Sequence, residues 1–339
     1  MTNRETRVEH IDLFRAMGII LMIMGHIKFG SHFDKWIHAF HMPMFFFVSG
    51  WFYKGAEGIS AWERIRKKAK SLLFPYICFE ILQWGILLLF VPEYRSSKIL
   101  YYILFENTYK IPIEKGTFGI SPIPGAMWFL TAIFFADVIY YVIDKFVGCN
   151  RKSHIIILIL AVFGMLFPTV LPLRLPLALD AALAGLFFFH IARMIRGRKA
   201  ESILEMKLWQ SLLLAAAFSA LIMACPEINM RTGSYGFYLP FWINALGVIA
   251  AGWSLSRYAE LFLKRFAKWI FLWMKNIGRN SIVYLCLNQS VILVITTVLN
   301  LCGIHGVMAK IPVFFFAMIM LLGFEKLFCN TKLHVLLGK

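Results

Sequence analysis

Along this chain, long apolar stretches alternate with short segments that concentrate Lys and Arg. Each stretch is long enough, at about 1.5 Å per residue, to cross a ~30 Å hydrocarbon core as a helix. The pattern predicts about ten transmembrane helices, near 11–29, 36–53, 72–92, 126–146, 154–172, 176–195, 207–225, 237–256, 281–301 and 308–326. The stretch KILYYILF at 98–105 is too short to cross. The first run follows Arg4 and Arg7 and has no small-residue cleavage site behind it, so it reads as a permanent helix rather than a cleaved signal.

Composition narrows this to one class. With 60% hydrophobic and 16% charged residues in 339, an ordinary soluble domain is excluded. The expected fold is all-α, a polytopic membrane helix bundle forming a single integral membrane domain over 1–339. Of 35 Lys and Arg, 25 fall in one set of alternating segments and 9 in the other, with Arg15 inside the first helix. Cationic loops stay on the cytoplasmic side during insertion. Both termini and the basic segments 54–71 and 257–280 are therefore expected in the cytoplasm, the loop 93–125 outside, and the chain in the plasma membrane.

On this view the net charge of +17 is a topology signal and a face for anionic membrane lipid, not a nucleic-acid footprint. WERIRKKAK at 62–70 and RYAELFLKRFAKWIFLWMKNIGR at 257–279 read as basic amphipathic helices on the inner surface. Snorkelling anchors and contacts to an anionic ligand are both open to them. Cys78, Cys149, Cys225, Cys286, Cys302 and Cys329 lack paired spacing, so neither a metal site nor a disulfide framework is expected. No glycine-rich phosphate loop or internal repeat is evident, and nothing in the pattern indicates an oligomeric state.

Chemistry enters with the polar groups inside spans. IDLFRAMGIILMIMGH (11–26) places Asp12, Arg15 and His26 in an apolar setting. Arg15 and His26 are eleven residues apart, three helical turns plus about 20°, so they share one face about 16 Å apart along the axis, with Asp12 one turn before Arg15. Ionisable groups at membrane depth normally face a protein interior or a wet cavity. The second span, HAFHMPMFFFVSGWF (38–52), turns back after a loop near residue 33. Counting from that apex sets His26 beside His41 and Arg15 beside Ser49 and Gly50. Pro43 should free the carbonyl of Ala39 next to His41, and Gly50 should allow close backbone approach. Glu80, Gln83, Asp137, Asp180 and Asn244 are weaker candidates, suited equally to substrate hydroxyls and to interhelical hydrogen bonding.

An N-terminal helix with Arg, ten residues, then His, followed by FHMPMFFFVSG, resembles the acyltransferase-three family of integral membrane acyltransferases, and within it the fucose 4-O-acetylase-like branch. MWFLTAIFFAD (127–137) and IGRNSIVYLCLNQ (277–289) extend the resemblance along the chain. One position departs: many relatives carry a histidine after the SIVYL segment, where this chain has Asn288. The chain also ends too soon for the fused hydrolase-like domain that some members carry.

The resemblance implies acyl transfer from cytoplasmic acyl-CoA, acetyl-CoA first, to a hydroxyl of a cell-envelope carbohydrate or lipid-linked glycan, with no permanently bound cofactor. Arg15 would hold the CoA phosphates or order the pantetheine entrance, Ser49 and Gly50 would lie along the CoA, and Asp12 would orient Arg15. His26 would deprotonate the acceptor hydroxyl. His41 would orient His26, donate to the oxyanion or be structural, and Trp128 would stack on a sugar ring or belong to the interfacial belt. The rival class is a transporter or flippase for a sugar-containing substrate, which predicts repeated halves and matching broken helices. A sensor or scaffold predicts that His26 is dispensable.

Overall fold

A computed structural model of the chain describes residues 8–58, 60–90, 126–171 and 174–338. The stretch 98–105 and the whole 93–125 loop lie outside the described residues, as do Arg4 and Arg7. Within them, regular structure is helical, apart from a single bridge between Asn229 and Ser234. In chain order the helices are α1 (Glu9–Ile27), α2 (Ser31–His38), α3 (His41–Trp51), α4 (Ala61–Lys68), α5 (Phe74–Phe90), α6 (Trp128–Phe146) and α7 (Arg151–Val170). There follow α8 (Leu179–Ile195), α9 (Leu208–Ala224), α10 (Tyr238–Phe266), α11 (Lys268–Arg279), α12 (Ser281–Leu301) and α13 (Val307–Asn330). Among the described residues six segments are long and apolar enough to cross a membrane: α1, α7, Pro176–Ile195, α10, α12 and α13; α9 is apolar but shorter. The molecule is a polytopic all-α bundle, as the hydrophobic pattern predicts.

Two spans differ from expectation in ways that position the site. The predicted second span is broken into α2 and α3 at Ala39 and Phe40. A proline ring clashes with the carbonyl four residues back, which for Pro43 is Ala39; restarting the helix at His41 places Pro43 in a first turn, where its missing N–H is no loss. The predicted eighth span does not stop near 256 but continues to Phe266 before the backbone turns at Ala267. Its polar tail consists of good helix formers, and Lys264 reaches Glu260 one turn earlier at 2.5 Å.

α1 runs through the middle of the bundle, packed by α3, α10, α11 and α12. Phe14, Phe47, Trp51 and Trp253 bind α1, α3 and α10 into one aromatic cluster, with Trp51 and Trp253 ring centroids 4.6 Å apart. Two glycines permit close backbone approach between helices: a Cβ on Gly50 would strike the Phe189 carbonyl of α8, and one on Gly278 of α11 would strike the Asp12 carbonyl of α1. α4 and α11, rich in Lys and Arg, lie at the end of the bundle where α1 begins, its basic end.

Candidate active site

The far end of α1 carries His26, half-buried. Gln289 of α12 meets it, amide Nε2 to ring Nδ1, at 3.1 Å. His38 and His41 come from either side of the α2–α3 break, their rings 5.2 Å apart and nearly perpendicular. The break supplies their partners. His41 Nδ1–H donates to the carbonyl of Ile37 at 2.7 Å, and His38 Nδ1–H to that of Asp34 at 2.6 Å. The position beside His41 is thus filled by Ile37 rather than by Ala39. With Nδ1 protonated, a neutral His41 presents only a lone pair at Nε2, so donating to an oxyanion would require its imidazolium form.

His38 and Arg231 lie within electrostatic range of His26, and His26 within that of His41. Arg231 reaches this end from the α9–α10 connection, whose shape is fixed by Arg174. That guanidinium donates to the carbonyls of Arg231 at 2.8 Å and Met230 at 3.2 Å, and it pairs with buried Asp180.

At the basic end the partners are charged. Asp12 is buried and forms an ion pair with Arg279 of α11 at 3.3 Å. Glu9 pairs with Lys264 at 2.6 Å and with Lys275. Arg15 is half-buried, its guanidinium 5.4 Å from the centroid of the Phe52 ring, just past the end of α3. The ring it meets thus lies two and three residues beyond Gly50 and Ser49, the expected neighbours, of which Ser49 is half-buried and Gly50 buried. The bare face of Gly50 is taken by the Phe189 carbonyl. Trp128 opens α6 and is only 5% exposed, its ring edge-to-face with Phe129 at 5.9 Å.

The structure therefore sets two groups along α1: His26 within electrostatic range of His41, and Arg15 over Phe52 at the α3 terminus. Most of the weaker candidates have structural partners. Asp137 accepts from Arg64 at 2.9 and 3.1 Å and pairs with Lys68 at 2.8 Å, docking α4 onto α6. Gln83 donates to the Cys286 carbonyl at 2.8 Å, and Asn244 lies 3.5 Å from the Cys225 sulfur. Asn288 is fully buried and folds back onto its own helix, donating to the carbonyls of Tyr284 and Leu285 at 2.9 and 2.7 Å.

Sequence reasoning missed Gln289, His38 and Arg231. It also missed Glu325, a buried carboxylate that accepts from Asn280 at 2.8 Å and Tyr284 at 3.0 Å. Among the described residues, no group of three His, Cys, Asp or Glu is gathered to hold a metal ion.

No curated protein and no solved structure matches the chain. A family model described as an acyltransferase domain matches residues 8–324, from the start of α1 to within the last turns of α13. The match takes in Arg15, His26 and every helix that surrounds them, and on that ground the chain belongs to the acyltransferase-three family and is a membrane acyltransferase.

Proposed function

We propose that the protein moves an acyl group, acetyl in the simplest case, from acyl-CoA to a hydroxyl of a cell-envelope carbohydrate or lipid-linked glycan. The observation that carries this is the unbroken α1, which presents Arg15 and His26 on one face about 16 Å apart, one near the basic end and the other at the far end. The extended pantetheine arm of CoA suits that separation. On this reading Arg15 grips the donor with a planar fork that matches phosphate, and Ser49 lines its path.

His26 takes the proton of the acceptor hydroxyl as its oxygen adds to the thioester carbonyl. The tetrahedral intermediate then collapses, the C–S bond breaks, and the CoA thiolate leaves with the proton that His26 held. The products are an ester and free CoA. The asymmetry of Lys and Arg between alternating segments supports an orientation with the basic end and both termini in the cytoplasm, so that in the plasma membrane the acceptor is met from outside.

The test is acyl transfer by purified protein given labelled acetyl-CoA and envelope glycans, together with mass spectrometry of glycans from a strain lacking the gene and one with it restored. Thioester consumption coupled to ester formation, and acylation that returns with the gene, are expected. Glycan acylation unchanged by the gene would overturn the proposal. Orientation has its own test, since a membrane-impermeant thiol reagent should fail to label Ser60→Cys in intact cells, and labelling would reverse it.

A further inference from the structure

The partner of His26 is an amide, and an amide can face a ring nitrogen in two ways. If Nε2 of Gln289 faces Nδ1, the imidazole carries its proton on Nε2; if Oε1 faces it, Nδ1–H donates and Nε2 keeps its lone pair. Oxygen and nitrogen of such an amide have nearly the same shape, so the chemistry decides which is present. A general base passes through an imidazolium, which bears N–H on both sides. An amide N–H aimed at Nδ1 would then oppose donor to donor, whereas Oε1 accepts from Nδ1–H before, during and after proton uptake.

The backbone around Gln289 is held for such a task. Ser290 donates to Gln83 at 2.6 Å, Gln83 donates to the Cys286 carbonyl at 2.8 Å, and Asn288 is tied to its own helix. α12 is thereby locked against α5 on both sides of Gln289. His38 and His41 provide a local parallel, since each is held by an oxygen acceptor at Nδ1.

We propose that Gln289 is the positioning residue of the acyl-transfer site, its Oε1 accepting from Nδ1–H of His26 so that Nε2 is the basic nitrogen offered to the acceptor hydroxyl. This rests on the role of His26 proposed above. It assigns orientation to a neutral group, where a carboxylate would add a fixed charge.

Three substitutions separate acceptance from packing. In Gln289→Glu the side chain only accepts, in Gln289→Lys it only donates, and in Gln289→Leu it does neither. Turnover is measured on detergent-purified protein, normalised to the monodisperse folded fraction, with labelled acetyl-CoA and the glycan acceptor. Gln289→Leu and Gln289→Lys should each lower kcat by about 10²-fold, the lower edge of general-base assistance, with KM for acetyl-CoA unchanged. Gln289→Glu should stay within about tenfold of wild type.

Wild-type kcat in Gln289→Leu would overturn the proposal, and so would Gln289→Glu falling as far as Gln289→Lys. A His26→Ala protein as active as wild type would instead overturn the base on which the proposal rests. An inactive His26→Ala beside an unimpaired Gln289→Leu would overturn Gln289 alone.

Discussion

The two ends of α1 are held by different kinds of partner. At the basic end the charged side chains meet ionic or cation–aromatic partners: Glu9 with Lys264 and Lys275, Asp12 with Arg279, Arg15 over Phe52. At the far end His26 meets an uncharged amide, and the neighbouring histidines are tethered to backbone carbonyls. Charges matched to opposite charges hold the helix in place, and removing Arg279 would leave the buried carboxylate of Asp12 without that ion pair. Neutral partners orient a ring without dictating its charge, which suits a group that must gain and lose a proton each cycle. The basic end is built to stay as it is; the far end is built to change.

The sharpest way to break this contrast is to delete a group from each end. His26→Ala should reduce acyl transfer by about 10²- to 10⁴-fold per folded molecule while membrane abundance and homogeneity in detergent stay near wild type. Turnover per folded molecule close to wild type would erase the distinction. Asp137→Ala should do the reverse. It strands Arg64 and Lys68 and should destabilise the protein by about 3–5 kcal/mol, read as a lower melting temperature and poor accumulation, with turnover per surviving molecule retained. Lost turnover in a protein of normal stability would make Asp137 part of the machinery.

Smaller effects sharpen the contrast. Gly50→Ala forces a methyl into the Phe189 carbonyl and should cost about 1–3 kcal/mol of stability, seen as a shifted thermal transition. Arg15→Lys keeps the charge but loses the planar fork. It should raise KM for acyl-CoA by about tenfold with kcat less affected. Equal steady-state constants for wild type, Arg15→Lys and Arg15→Ala would leave Arg15 as an anchor and remove the donor from the basic end.

What was legible in the sequence follows from the range of the interactions. The shared face of Arg15 and His26 requires only the period of one helix, and the membrane-length runs only composition and length. The place where α2 gives way to α3 was half legible: Pro43 announces a disturbance, but a freed carbonyl and a full break look alike until the chain has packed. The end of α10 was hidden because Arg257, Glu260, Lys264 and Arg265 lower hydropathy without lowering helix propensity.

Gln289 stood in a motif already singled out, yet its meeting with His26 depends on the rotation and depth of α12 against α1. No local pattern encodes that placement. Asp137 was visible as an intramembrane acid, whereas its partner Arg64 lies 73 residues earlier, on a helix expected only to rest on the surface.

The 29 residues of α10 amount to about 43 Å of helix, well beyond a ~30 Å hydrocarbon core. The excess is the charged stretch that holds Arg257, Glu260, Lys264 and Arg265, so it extends past the apolar span that ends near residue 256. Leu261, Phe262 and Phe266 near its end and Trp269 just beyond it are all exposed, interleaved with the charges of that stretch. Lys264 ties the same stretch to Glu9, and α11 carries it on to Gly278, pressed against the Asp12 backbone. The polar extension of α10 therefore does more than leave the apolar core: through Lys264 and α11 it is tied to the stretch of α1 one turn before Arg15.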